Sequence, residues 1–302
     1  MYHKYCPSLA RPNNAEEPLS EFWALITPEQ CHRLIHSMPC RIAAVIQAKG
    51  APSKHSVFVV FIMITIISLL LLASLLPHLT FAVINGKEAI PHSRPYMVSL
   101  QKNSQHTCGG FLISNEFVLT AAHCGKTEEL TVVVGAHDLR KGAVHIKVKF
   151  YYRHQDYSEE TLQNDIMLLR LEKKVENNEN VKWISIPKTK GDINADSDCS
   201  VAGWGMFSNG TSSPVLMETN VMMNNKICEN IWKSEFSAAQ MICVYGKGGT
   251  CKGDSGGPLV CGDAAVGVTS FGNLCNSPEH HNVYTKISAY LPWIKNITEK
   301  NN

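Results

Sequence analysis

The sequence carries almost no excess of charge: its formal net charge is +2 over 302 residues. Nothing in that balance calls for nucleic acid or a strongly acidic partner, so no nucleic-acid binding is expected. It has no Cys-x-x-Cys pair, which removes the usual zinc-ribbon and thiol-redox frameworks. Its 13 histidines include no His-Glu-x-x-His, which removes the common zinc peptidase helix. It shows no internal repeat and no low-complexity tract beyond one leucine-rich run. Helical periodicity is scarce: only Ser288–Thr298 reads as a helix, with Tyr290, Leu291, Ile294 and Ile297 near helical spacing. Strand and helix patterns do not alternate, so a parallel α/β sheet is not expected.

What is present divides the chain in three. Residues 1–56 have no sustained periodicity and read as disorder or as a mis-extended N-terminus. Val57 to Leu76 is apolar almost throughout, long enough to span a bilayer. It reads either as a type II membrane anchor or as the core of a signal peptide, with translation starting near Met38 or Met63. The signal peptide is favoured, because a start at Met63 gives a fitting apolar length and Thr80-Phe81-Ala82 offers a small-residue cleavage site after Ala82. Membrane association is expected only if residues 57–76 are retained. From Val83 onward, short β-branched and apolar runs alternate with Gly, Pro, Asn and Ser turns, which is the pattern of an all-β sandwich or barrel.

The chain has 11 cysteines. Eight follow residue 83, at Cys108, Cys124, Cys199, Cys228, Cys243, Cys251, Cys261 and Cys275, and an even set of this kind reads as disulfides in an oxidising compartment. Sequons at Asn209 and Asn296 fit a secretory route and are candidate glycosylation sites.

Gly253-Asp254-Ser255-Gly256-Gly257-Pro258 is the most informative stretch. Serine needs a neighbouring base to act as a nucleophile, and glycines let the backbone bend tightly around it. Thr120-Ala121-Ala122-His123-Cys124, after an apolar strand, offers the base. Asp165, opening Asp-Ile-Met-Leu-Leu-Arg-Leu, offers an acid that burial obliges to find a partner. Gly-x-Ser-x-Gly also matches the nucleophile elbow of α/β-hydrolases, but that fold needs a helix after the serine and the order Ser, acid, His. Here the order is His123, Asp165, Ser255, and Pro258 follows almost at once.

Residues 83–298 resemble the chymotrypsin-fold serine proteases, peptidase family S1. The resemblance rests on Val83-Ile84-Asn85-Gly86, Cys108-Gly109-Gly110, Thr120–Cys124, Asp165–Leu171, Gly203-Trp204-Gly205, Gly253–Pro258 and Ser270-Phe271-Gly272. Pro91–Met97 is similar to the start of granzymes and mast-cell proteases. The resemblance implies two antiparallel six-stranded β-barrels with a C-terminal helix. It implies disulfides Cys108–Cys124, Cys199–Cys261, Cys228–Cys243 and Cys251–Cys275, and the last of these points away from the granzyme-B branch. It implies catalysis by His123, Asp165 and Ser255, with an oxyanion hole from the N–H groups of Gly253 and Ser255 and no metal or organic cofactor. It implies peptide and protein substrates, and serpin-type or other protein inhibitors as partners. It implies an activating ion pair between the new amino terminus at Val83 and Asp254. Ala82 abuts Val83, so signal cleavage alone would release that terminus.

The same resemblance places Gly249 where trypsins carry a pocket aspartate, beside Thr250, Gly272 and Asn282, with Ser270, Phe271 and Gly272 as the edge that pairs with substrate. With no charge at the base, cleavage after a neutral side chain, aromatic or large aliphatic, is expected rather than after Arg or Lys, although Asn282 leaves a polar residue open. A secreted or granule-stored endopeptidase is the main expectation. The alternatives are a non-catalytic binding homologue and a membrane-tethered protease.

Overall fold

The chain reaches its functional region through strands of very different exposure, and that difference shows where its two cores lie. The computed structural model describes residues 86–125, 129–189, 191, 198–207, 210–273, 275 and 280–300. The expectations for residues 1–56, for the apolar segment 57–82, for Val83 and for Asn209 lie outside the described residues.

The short strand β1 (Lys87–Glu88) comes first. Then β2 (Met97–Lys102), β3 (Gln105–Leu112), β4 (Phe117–Thr120), β5 (Thr131–Val134), β6 (Val144–Arg153) and β7 (Met167–Leu171) close an antiparallel barrel in the order β2-β3-β4-β7-β6-β5. Residues of β4 are buried on both faces, whereas most of β6 faces solvent. The β2–β3 hairpin turns through Asn103 and Ser104, with φ of 48° and 63°. Two residues of positive φ are what a tight hairpin needs to match the twist of its strands.

A second antiparallel barrel follows from β8 (Asp198–Gly203), β9 (Met217–Met223), β10 (Met241–Gly246), β11 (Pro258–Cys261), β12 (Ala264–Gly272) and β13 (His280–Lys286). Its order is β9-β10-β13-β12-β11-β8, closed by the β8–β9 pairing, and β1 adds two residues to the outside of β9. Closure leaves neither sheet with a free edge to template aggregation.

Two helices accompany the barrels among the described residues. The expected C-terminal helix begins later than its spacing predicts: Ile287–Tyr290 forms a tighter 3-10 turn and the α-helix α2 spans Leu291–Lys300. Tyr290 and Ile294 pack into the same core as the first barrel, so this helix reaches back across from the second barrel. The other helix, α1 (Asn225–Trp232), corrects the expectation of a single helix. At eight residues it is too short for its period to stand out from a strand's. Strand β9 carries little local signal, since its Met-Glu-Thr-Asn start has little of the β-branched content that marks a strand.

Cystine bridges join Cys108–Cys124, Cys199–Cys261, Cys228–Cys243 and Cys251–Cys275.

Candidate active site

Asp165 is the fixed point. It lies two residues before β7 and is fully buried. An unpartnered carboxylate there would be very costly, and the protein surrounds it with donors instead. Its Oδ1 accepts the backbone N–H of His123 at 2.9 Å. Its Oδ2 accepts His123 Nδ1 at 2.7 Å and the Ser270 hydroxyl at 2.6 Å. Its own carbonyl accepts the Thr285 hydroxyl at 2.8 Å. The histidine belongs to the first barrel, Ser270 and Thr285 to the second, so the site stands on the seam between them.

His123 sits in a 3-10 turn, Ala122–Cys124, directly after β4. The disulfide from Cys124 back to Cys108 on β3 staples that turn. With Nδ1 donating to a carboxylate, Nε2 is the ring nitrogen left to accept and return a proton. The backbone of His123 donates to the same carboxylate, so ring and main chain are positioned together.

Ser255 lies on the loop between β10 and β11 and is partly exposed. Gly253 and Gly256 on either side have φ of 95° and 80°, a conformation that L side chains rarely adopt. The loop is tied down on all sides: Gly109 N donates to Ser255 O at 2.7 Å, Gly256 N to Thr269 O at 2.8 Å, and Gly257 N to Asp254 O at 3.0 Å. By contrast, the N–H groups of Gly253 and Ser255 donate to no acceptor among the described residues. Two open backbone donors, one of them on the serine itself, are available to an acceptor from outside the chain.

Asp254 points the other way, into the second barrel, and is fully buried. Its Oδ1 accepts Gly205 N at 2.8 Å and its Oδ2 accepts Cys251 N at 2.9 Å. A side chain at Gly203 or Gly205 would run into this carboxyl group, which is why glycines flank Trp204. Burial lifts the Asp254 carboxyl to about 7, against the pull of its two backbone donors. No Lys, Arg or His lies within ion-pair distance of it among the described residues, and Val83 lies outside them.

A cleft of about 470 Å³ opens beside Ser255. Thr250, Ser270, Phe271, Gly272 and Asn282 all line it, so five of the six residues expected at a substrate pocket meet there. Gly249 is buried next to Thr250 but is not among the lining residues. Asn282 is occupied: its Oδ1 accepts Thr250 N and its Nδ2 donates to Thr250 O, both at 3.2 Å. No acidic side chain stands among the described lining residues. Lys252, exposed, and Met206 lie along the same opening.

One residue of this region escaped the sequence reading. His106, on β3, donates from Nε2 to the carbonyl of Gly253 at 2.9 Å, while its Nδ1 meets the Ser99 hydroxyl at 2.8 Å. Burial pushes its pKa down to about 4, so at neutral pH it is an uncharged donor that holds the Gly253 peptide in place. No motif surrounds it, and 147 residues separate it from its partner. His281 is buried in β13 and meets Asn273. Cys108, His123 and Cys124 come close enough to suggest a metal cluster, but both sulfurs belong to one disulfide and offer no thiolate.

Comparison with known proteins agrees with this geometry. Residues 83–294 match the family described as Trypsin. Human cathepsin G is 40% identical over 239 residues, 75% of this chain and 92% of that protein. Human granzyme H is 41% identical over 231 residues, 73% of this chain and 93% of that protein. Among solved structures, neuropsin, a serine protease expressed in the limbic system of mouse brain, aligns with a TM-score of 0.66 at 33% identity, over 72% of this chain and 100% of its own.

Proposed function

The chain belongs to the trypsin family of serine endopeptidases, and we propose that it cleaves peptide bonds through Ser255, His123 and Asp165. The observation that carries this reading is the pairing of His123 Nδ1 with the buried Asp165 at 2.7 Å. In that tautomer Nε2 takes the proton of Ser255 as its oxygen attacks the carbonyl carbon. The C–O bond forms, the carbonyl oxygen becomes an oxyanion, and the open N–H groups of Gly253 and Ser255 receive it. Collapse breaks the C–N bond, and the imidazolium gives its proton to the leaving amine. Water, activated by the same histidine, then hydrolyses the acyl-enzyme. The experiment is direct: Ser255→Ala abolishes peptidase activity and labelling by a fluorophosphonate probe. An active, labelled Ser255→Ala protein would place the nucleophile elsewhere, and a wild type with neither activity nor labelling would leave the binding-homologue reading.

Val83 is assigned the role of switch. Its free amine, once released, enters beside Asp254 and supplies the positive charge that this buried carboxyl lacks. Pairing draws the loop of Gly253 and Ser255 into its working shape, so a chain extended before Val83 is inactive.

The cleft offers no acidic group among its described lining residues, which suits a neutral side chain, aromatic or large aliphatic, rather than Arg or Lys. The Asn282 amide is engaged with Thr250, which weighs against its recognising a polar substrate group. The four disulfides support maturation in an oxidising compartment and release as a secreted or granule-stored enzyme. No helix among the described residues is long and apolar enough to cross a membrane. Asn296 stands exposed on α2, open to glycosylation.

A further inference from the structure

His137 follows β5 and is largely buried, with a side-chain exposure of 11%. Its Nε2 lies 2.8 Å from Glu88 Oε1, on β1. Its other ring nitrogen, Nδ1, is shielded from solvent and has no hydrogen-bond partner among the described residues. With the proton on Nε2, facing the carboxylate, Nδ1 presents a bare lone pair. A buried acceptor left empty is unusual, because native proteins satisfy nearly all such groups.

The neighbour of that ring is a second imidazole. His92 is exposed, and its ring centre is 6.4 Å from that of His137. His92 occupies the third position of a turn closed by Ser93 N donating to Ile90 O at 2.9 Å, with Pro91 before it. Its φ is 59°, where glycine or asparagine is normally preferred. A histidine held in a glycine's conformation beside a histidine with an empty lone pair calls for an explanation in ligand chemistry.

We propose that His92 and His137 bind a zinc-class divalent ion, with Glu88 as the positioning carboxylate behind His137. Two neutral imidazoles suit zinc, copper or nickel. Water would complete the coordination, as in open zinc sites. A carboxylate on the far nitrogen of a ligating histidine is the usual supporting arrangement, since it fixes the tautomer and raises the basicity of the other nitrogen. At zinc–nitrogen distances of about 2.1 Å, tetrahedrally placed rings have centres about 5 Å apart, so His92 must close by about 1 Å, and its exposed side chain is free to do so.

The site would join the start of the enzyme to its interior. His92 and Glu88 belong to the segment that follows Val83, whereas the His137 carbonyl accepts the Trp204 indole N–H at 3.0 Å and Leu216 N at 2.9 Å. Trp204 lies between the two glycines that abut Asp254. A bound ion therefore clasps the amino-terminal segment onto the wall behind the activation carboxylate.

The test is zinc titration of the full chain as secreted from cells, in competition with a chromophoric chelator, alongside His92→Asn. Asparagine keeps the positive-φ turn and removes the ligand, so this variant folds. The wild type is expected to bind one zinc ion with a dissociation constant below about 100 µM, and His92→Asn to bind at least fivefold more weakly, while His145→Asn, at an exposed histidine on β6, binds as the wild type does. A wild type with no site at this affinity, or a His92→Asn affinity within fivefold of it, would overturn the proposal. Neither readout depends on peptidase activity.

Discussion

Ser270 donates its hydroxyl to Asp165 at 2.6 Å, and it does so from the opposite barrel. The carboxylate that orients His123 is thus held by both halves of the molecule. Ser270→Ala removes one donor from a buried charge, a loss of about 1.5–3 kcal/mol for a charge-assisted bond. Thermal unfolding should move down accordingly. Turnover should fall by roughly tenfold, with the KM of a small substrate little changed, because the histidine is loosened while the cleft is not. Steady-state kinetics and a melting curve check both.

His106 sets a different expectation. Replacing it with Ala strands the Gly253 carbonyl and loosens the peptide that joins Gly253 to Asp254. An acceptor left without its donor should cost about 1–3 kcal/mol of stability, read from a melting curve, whereas His106→Gln, which can still donate, should recover part of it. Its pH signature follows from burial. The folded pKa of about 4 lies below the ordinary 6.5, so the folded state resists protonation. Stability is complete above pH 6.5 and declines as pH falls through 4. Urea denaturation at several pH values should show a steeper acid loss in wild type than in His106→Gln.

Asp254 should produce the opposite slope in a chain extended before Val83. Its folded pKa of about 7 lies above the ordinary carboxyl value of 3.8. Stability is then complete below pH 4 and falls as pH rises through 7, by roughly 4 kcal/mol for three pH units. Asp254→Asn should flatten this dependence in the extended chain. In the cleaved enzyme it should abolish activity, because the new amine then enters against a neutral group.

Specificity offers a fourth measurement. A library of peptides varied at the residue before the cut should show preference for aromatic or large aliphatic side chains and little cleavage after Arg or Lys. Gly249→Asp, next to Thr250, should shift the preference toward basic residues by adding the negative charge that the walls lack. A wild type strongly selective for Arg or Lys would refute the neutral pocket.

Residues that act through local sequence were legible without coordinates. Glycines bracketing Ser255, a cysteine beside His123 and an acid leading into an apolar strand each state their chemistry within a few positions. Most strand positions were equally visible, because β-branched runs between turns need only local pattern. What stayed hidden acts at a distance. His106 matters through a carbonyl on another barrel, and no neighbour in the chain marks it. The same holds for the donors Ser270 and Thr285 as partners of Asp165: their hydroxyls are ordinary until the barrels meet. Helix α1 escaped because eight residues do not establish a period.

The four cystine bridges have a consequence for inactivation. Cys108–Cys124 lies within the first barrel and the other three within the second, so none of these bridges joins the barrel that carries His123 to the one that carries Ser255. Mild denaturant can therefore part the halves while each remains internally stapled. Chemistry should vanish before the barrels lose their strands, and return on dilution without any thiol reagent. The fragile component of this enzyme is an alignment, and it can be broken and restored with every covalent bond intact.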